Sequence, residues 1–130
     1  MIRAGVGQSQ RQATGEAVKE AADQALASAG TPRADLALIF FTSDHAGHPH
    51  ELVSSLIRAV GTDCVFGCSG GGVLTGEAEI EGNCGVAVLV IAGEEIVGRP
   101  FIFEPLRGNE ENLGNSCGDF LAKTQDESAL

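Results

Sequence analysis

The chain contains no tryptophan and no tyrosine, and only 8 of its 130 residues are lysine or arginine, against 18 aspartates and glutamates. Without those two aromatic residues, a core must be built from aliphatic side chains, alanine and the six phenylalanines. The formal net charge of −10 argues against nucleic acid and against an anionic membrane as partners, because both are bound through basic surfaces.

Paired cysteines are also missing. The four cysteines are Cys64, Cys68, Cys84 and Cys117, and none forms a CxxC pair, which argues against a structural zinc site. The first residues lack the anatomy of a signal peptide, and no apolar run approaches the roughly 18 residues that a membrane-spanning helix needs. We therefore expect a cytoplasmic protein whose thiols are reduced.

The remaining composition is that of a folded domain. Apolar residues make up 43% of the chain and the mean hydropathy is +0.09, values typical of a globular protein. A length of 130 residues suits one domain with a real core, so we expect a single domain over residues 1–130.

Apolar periodicity predicts two amphipathic helices. An alanine-rich stripe repeats at helical spacing from Thr14 to Ala29, with Thr14 as a plausible N-cap and Gly30 as the stop. A second apolar face runs from Pro49, a residue favoured at the first helical position, to Val60, and Gly61 ends that helix. The alanine-rich stripe indicates that the first helix packs closely against a sheet.

Short apolar runs predict strands between these helices. The predicted strands cover Ile2–Gly7, Asp35–Thr42, Asp63–Gly67, Val86–Ile91 and Ile96–Glu104, the last interrupted by Pro100. The two strand–helix–strand crossovers favour parallel pairing with right-handed connections, and the last two strands favour a hairpin. With a weaker final helix near Asn112–Lys123, the fold class is α/β: a mixed, mainly parallel sheet with flanking helices and an antiparallel C-terminal hairpin.

The most informative stretch for function is the glycine run after the third predicted strand. Half of the residues from Gly67 to Gly76 are glycine. Backbone N–H groups in such a loop can converge on an anion or a carboxylate, although a tight connection without a ligand explains the same composition.

Three predicted strand ends point to one rim of the sheet. Ligands bind at the carboxyl ends of strands in open parallel sheets, so residues at these ends are candidates for a small-molecule site. The candidate ligand-binding residues are Gly7, Ser9, Ser43, Asp44, His45, Gly67, Cys68, Ser69, Gly70, Gly71 and Gly72.

Catalytic and metal-binding alternatives remain open. The string G-x-S-x-G around Ser69 matches a nucleophile elbow, but all three histidines lie upstream of it and no helix is predicted after it. Cys68 with a histidine from the His45 loop is a candidate nucleophile pair. His45, His48 and His50 are candidate ligands for a metal or a haem, although their spacing is not a recognised ligand set.

Several of these segments together resemble the FIST N-terminal domain family. The resemblance is carried by Ala4–Ser9, the alanine-rich helix, Leu38–Ser43 and Phe66–Val73, followed by Gly76–Gly82 and the strand from Val86, and it spans roughly Ile2 to Ile91 in order. It is the ordered series of segments, and not any one motif, that carries the resemblance.

The resemblance implies a sensory domain of signal-transduction proteins. Members of the family are proposed to bind small ligands such as amino acids, and some bind haem and sense nitric oxide. We therefore expect a small-molecule sensor without catalysis and without a required cofactor. The alternatives are a haem-binding gas sensor, a cysteine-dependent enzyme and an assembly module that binds no ligand.

The chain departs from the family in length. FIST N-terminal domains are usually longer and are commonly followed by a second domain, so we interpret residues 1–92 as the core of the resemblance, 93–123 as a strand and helix resembling the start of a second half, and 124–130 as a frayed tail. The chain is then a half-length version or a fragment. Too few helices are predicted to cover both faces of the sheet, which favours a homodimer.

Overall fold

The computed structural model describes residues 1–94, 96–99, 102 and 107–127, with side chains described to residue 123. It forms two compact units, Met1–Pro100 and Phe101–Leu130. The second unit contains helix α3 (Glu110–Glu127), and the first contains β1 (Arg3–Ser9), α1 (Thr14–Ala29), β2 (Leu36–Thr42), a 3₁₀ turn (Ser43–His45), α2 (Pro49–Val60), β3 (Val65–Gly70), β4 (Gly72–Leu74), β5 (Glu79–Glu81) and β6 (Val86–Ala92). Among the described helices, none has the length and apolar character needed to traverse a bilayer.

The main sheet has four strands in the order β1-β6-β2-β3. β6 is antiparallel to both β1 and β2, and β2 is parallel to β3, so β1, β2 and β3 all run in the same direction. A short second sheet is the antiparallel hairpin of β4 and β5. The predicted mixed α/β fold is confirmed, with three of the four main strands pointing one way.

The predicted pairing of the first two strands is wrong, because β6 lies between them. Two of the three pairings in the main sheet are therefore antiparallel. The crossover through α1 fixes the relative direction of β1 and β2 but not their adjacency, so it leaves room for a third strand. β6 fits there because its residues alternate between two covered faces, with Val86, Val88 and Val90 fully or almost fully buried.

The bounds of α1 and α2 are those that periodicity predicts. Both helices end at a glycine in the left-handed conformation, Gly30 with φ 64° and Gly61 with φ 73°, where other residues would be strained. Thr14 is not the N-cap of α1; Ala13 occupies that position and Thr14 is the first helical residue. The Thr14 side chain is buried and hydrogen-bonds to His45, which removes it from capping.

α1 packs so closely on β1 that only glycine fits at the two contact positions of the strand. A Cβ atom at Gly5 would lie 2.2 Å from the Ala25 carbonyl oxygen, and one at Gly7 would lie 2.2 Å from the Ala21 carbonyl oxygen. On the helix side the contacting stripe is alanine, which is fully buried at residues 17, 21, 22 and 25. Small residues on both partners therefore set the closeness of helix and sheet.

The main core lies on the helix-covered face of the sheet. It joins the buried stripes of α1 and α2 to the inward residues of β2 and β6. The opposite face carries the alternate strand residues and is uncharged, and Val6 and Phe40 on it are 40% and 43% exposed. The β4–β5 hairpin covers one end of this face, where Val73 and Ile80 pack with Ala87.

Four predicted features differ from the structure. The described residues of the predicted strand from Ile96 to Glu104, namely 96–99 and 102, are not in a strand, since glycine and proline weaken pairing there. The antiparallel hairpin is instead β4–β5, which lies within and just after the glycine run, where no strand is predicted. The third strand extends through Gly70, three residues beyond the predicted end, and α3 extends through Glu127.

Candidate functional site

The carboxyl ends of β1, β2 and β3 lie at one edge of the main sheet, because the three strands share one direction. β6 runs oppositely, so its first residues lie at the same edge. We call this edge the carboxyl-end rim and define it as Ser9, Thr42–His45, Gly70–Gly72 and Cys84–Gly85. The sequence predicted that the carboxyl ends of these three strands would lie at one rim, and the structure agrees.

His45 is the buried centre of the rim. Its side chain is fully buried, although the residues on either side of it, Asp44 and Ala46, are exposed. The ring nitrogen Nδ1 lies 3.0 Å from Thr14 Oγ1, and Nε2 lies 3.0 Å from Cys84 Sγ. Cys84 Sγ also lies 3.3 Å from the Arg11 carbonyl oxygen, which accepts the thiol proton only in the tautomer where His45 Nε2 carries its own hydrogen. Three chain segments are thereby joined through one imidazole.

The charge states of this cluster follow from its burial. Burial lowers the pKa of His45, and only part of that effect is opposed by the nearby Asp44 carboxylate. Burial, together with Asp44, raises the pKa of the Cys84 thiol. At neutral pH the ring is therefore uncharged and the sulfur carries its proton.

Thr42 ties the end of β2 to the start of β6. Its hydroxyl accepts a hydrogen bond from the Gly85 N–H at 3.0 Å and donates one to Asp44 Oδ2 at 2.9 Å, while its N–H donates to the Gly85 carbonyl. The Asp44 carboxylate is thus held in place at an exposed position of the rim. A fixed exposed carboxylate can receive a cationic group of a ligand.

The Ser9 hydroxyl is used in hydrogen bonds within the protein. Its hydroxyl donates to Glu20 Oε2 and accepts from the Arg11 N–H, and Arg11 in turn pairs with Glu16 and Glu20 on α1. The hydrogen bonds from Ser9 and Arg11 lower the pKa of Glu20, which stays ionised. Ser9 is also buried, so it holds β1 to α1 at the rim.

The glycine run is split between the sheet and the rim. Gly67 to Gly70 belong to β3 and pair with Ile39 to Thr42, so they are not a loop. A Cβ atom at Gly67 would lie 2.0 Å from the Ile39 carbonyl oxygen, which gives this glycine a packing role. Gly71 has no non-neighbouring atom within 4 Å of its Cβ position, and the space beside it is open.

Two other predicted residues of the run lie on opposite faces of β3. Cys68 is exposed and pairs with Phe40 on the uncharged face, whereas Ser69 pairs with Phe41 on the helix side. The predicted partnership of Cys68 with a histidine of the His45 loop is wrong for His45, because both of its ring nitrogens contact Thr14 and Cys84.

Gly7 likewise has a packing role, since it is buried beneath α1. Sequence reasoning missed Thr14 as a partner of His45, and it missed Cys84 entirely. The signal was the buried strand from Val86: once that strand is antiparallel, the residues before it fall on the rim.

The three histidines do not gather. His48 and His50 are exposed at the start of α2, and His48 Nδ1 lies 3.8 Å from Glu51 Oε2. His45 presents no free nitrogen to an iron atom. Within the described residues, no group of three histidine, cysteine or acidic side chains is arranged to hold a metal ion.

Surface concavities lie beside the rim and away from it. One of about 440 Å³ lies on α1 next to the Arg11–Glu20 pair, and it is lined by Arg11, Glu16, Lys19, Glu20, Asp23 and Gln24. Another, of about 380 Å³, includes Arg3, Asp35 and Gly93 at the opposite edge of the sheet. Neither of these two concavities is lined by Asp44, His45 or Gly71.

Comparison with known families gives a match to the FIST N domain. The model of the FIST N domain matches residues 35–124, which is more than half of the chain. The matched region begins just before β2, includes the 3₁₀ turn and the glycine run, and continues into the second unit. No curated protein sequence matches the chain.

Proposed function

The chain belongs to the FIST N domain family, and from this premise we propose that it is a sensory domain that binds a small molecule at the carboxyl-end rim. FIST N domains are sensory domains of signal transduction and not a known enzyme family. The proposed ligand is an amino acid or a metabolite of similar size and charge. The domain binds this ligand without transforming it.

The observation that carries the proposal is the pairing of Thr42 with Gly70 in the ladder of β2 and β3. It brings Gly71, the open position between β3 and β4, to the same edge of the sheet as the exposed Asp44 carboxylate after β2. An amino acid has an ammonium group that suits Asp44 and a carboxylate that suits backbone N–H groups of Gly70–Gly72. Ser43 directly precedes Asp44 in the chain, and the buried His45 directly follows it.

Other residues of the predicted set are assigned structural roles in this proposal. Gly7 and Gly67 allow close packing, Ser9 is occupied by Glu20, and Ser69 faces the helices. Cys68 is exposed on the uncharged face. The proposed ligand-contacting residues are therefore Ser43, Asp44, Gly70, Gly71 and Gly72.

The test is native mass spectrometry of gently purified protein, followed by titration calorimetry with a panel of free L-amino acids. Gly71→Val should abolish binding while leaving the fold intact, because the new side chain enters open space. Gly114→Val is the matched control, since Gly114 in α3 also has nothing within 4 Å of its Cβ position. Binding that survives Gly71→Val, or a chain that binds no member of the panel and retains no small molecule, contradicts the proposal.

We further propose that the uncharged face of the sheet pairs with a second copy of the chain. Two molecules that each carry a net charge of −10 approach most easily through a surface without charge. Phe40 and Val6 supply exposed apolar area on this face, and a twofold axis is the commonest way to bury the same patch on both molecules.

A further inference from the structure

We propose that Cys84 is a covalent modification site, at which His45 acts as a general base and a cationic or neutral small disulfide is the modifying reagent. The proposal rests on the contact between Cys84 Sγ and His45 Nε2 at 3.0 Å, and on the partial exposure of Cys84 beside a fully buried ring. It is independent of ligand binding at Gly71. No catalytic turnover is involved.

Thr14 orients the imidazole for this role. When Nδ1–H donates to Thr14 Oγ1 at 3.0 Å, the lone pair of Nε2 faces the sulfur and can accept its proton. A neutral ring and a protonated thiol, the states that burial favours here, are the starting point of general-base catalysis. Thr14 is thus a positioning residue, and it lies 31 positions from His45 in the chain.

The opposite tautomer makes a different prediction. There Thr14 donates to Nδ1, Nε2–H donates to the sulfur, and the Cys84 thiol donates to the Arg11 carbonyl at 3.3 Å. In that arrangement His45 has no free lone pair for the thiol proton. Cys84 is then an ordinary half-buried thiol with a slow reaction, and the proposal is wrong.

The step is a thiol–disulfide exchange. Sγ of Cys84 attacks one sulfur of the disulfide as its proton passes to His45 Nε2, a new S–S bond forms to Cys84, and the old S–S bond breaks. The leaving thiolate takes the proton back from the ring and departs as a free thiol. Cys84 is oxidised to the mixed disulfide and the departing half of the reagent is reduced, so protons and electrons balance.

The charges around the site select the reagent. Asp44 lies close enough to raise the pKa of Cys84, and it stands on the same turn as His45. At the start of α2, the N-cap His48 lowers the pKa of the His45 ring and Glu51 raises it. Arg11 offers only its carbonyl, because its guanidinium is paired with Glu16 and Glu20. An acidic neighbour on an acidic chain attracts a cationic disulfide and repels an anionic one.

The experiment uses the full chain with Cys68→Ser and Cys117→Ser, which leaves Cys84 and the buried Cys64. Formation of the mixed disulfide is followed by mass spectrometry with cystamine, a dication, and with glutathione disulfide, an anion. The site of modification is located by tandem mass spectrometry. Cystamine should react faster, and the rate should level off above neutral pH, where the ring is already unprotonated.

Replacing the base should slow the reaction by about 100-fold and restore a rate that rises with pH as for a simple thiol. The variant is His45→Gln. If it does not fold, Thr14→Val serves instead, with Thr14→Ser restoring the orienting oxygen and the rate. Equal rates with and without His45, equal rates in Thr14→Val and Thr14→Ser, or no reaction at Cys84 overturns the proposal.

Discussion

Glu51 Oε1 accepts a hydrogen bond of 3.0 Å from the backbone N–H of Gly15, 36 residues earlier in the chain. The N-cap of α1, Ala13, has no side chain that could cap the helix, and the carboxylate at the start of α2 supplies the missing acceptor. The negative charge also faces the positive end of the α1 dipole. One glutamate therefore fixes the start of α1 next to the start of α2.

Replacing this glutamate should destabilise the first unit. Glu51→Ala removes the acceptor and should lower the free energy of unfolding by about 1 kcal/mol, as measured by urea denaturation. Glu51→Gln keeps an acceptor and should lose less. Glu77→Ala, at an exposed turn, is the control. A loss from Glu51→Ala no larger than that of the control would show that the cap contributes nothing.

Gly7→Ala should destabilise the fold more than most single-atom changes. The added Cβ would lie 2.2 Å from the Ala21 carbonyl oxygen and 2.6 Å from Gln24 Cβ, so α1 must move away from β1. Overpacking of this kind costs about 1–3 kcal/mol, measurable by urea or thermal unfolding. Gly71→Ala, which meets nothing within 4 Å, should be close to neutral. Similar stabilities of the two variants would mean that the helix yields without cost.

Stability should fall as the pH is lowered below about 6.5, the ordinary pKa of histidine. Because burial lowers the pKa of His45, the unfolded chain binds this proton at a higher pH than the folded chain does. The neutral ring therefore makes its full contribution to the free energy of unfolding at pH values above the pKa of histidine in the unfolded chain. As the pH falls below that pKa the contribution decreases, until the folded ring also becomes protonated. The slope for one proton is at most about 1.4 kcal/mol per pH unit.

The measurement is urea denaturation at several pH values between about 7 and about 5. His45→Gln should remove most of the dependence in this range, whereas His50→Gln, at an exposed position, should keep it. A dependence that is unchanged in His45→Gln would assign it to other groups.

Phe40→Asp should convert the proposed dimer to a monomer of 13.3 kDa. The substitution places a charge on each copy of the uncharged face, and the two charges repel across a twofold axis. Sedimentation equilibrium at micromolar concentration reports the mass. Val53→Asp is the matched control, because Val53 is 48% exposed on α2, on the other side of the sheet. A wild-type chain that sediments as a monomer would make the second-copy proposal wrong.

Sequence periodicity predicted the extents of α1 and α2 closely, because their signals are local, although the N-cap of α1 is Ala13 and not Thr14. The alanine stripe, Pro49, Gly30 and Gly61 all act within one or two turns of the helix they define. The local sequence predicted the strands less well than the helices. A glycine-rich segment is compatible with a loop or with an edge strand, and only the ladder with β2 makes Gly67 to Gly70 a strand.

Contacts between residues far apart in the chain could not be predicted from local sequence signals. Cys84 and His45 are 39 residues apart, and their contact depends on the insertion of β6 between β1 and β2. The sequence did indicate that the ends of β1, β2 and β3 share a rim, because crossovers fix strand direction. The sequence did not indicate which rim residues have structural roles. Ser9 hydrogen-bonds to Glu20 and Gly7 packs against α1, and neither role was predicted.

The insertion of β6 also bears on how the chain folds during synthesis. β6 is the last strand of the main sheet to leave the ribosome, yet among the described strands it is the one that joins β1 to β2. A nascent chain that has been made only as far as Gly85 can form α1 and α2, but its β1 has no strand to pair with. The apolar edges of β1 and β2 then stay open to other chains, a period in which chaperones are useful. Spatial order and order of synthesis thus differ, and the sheet closes only when its central strand arrives.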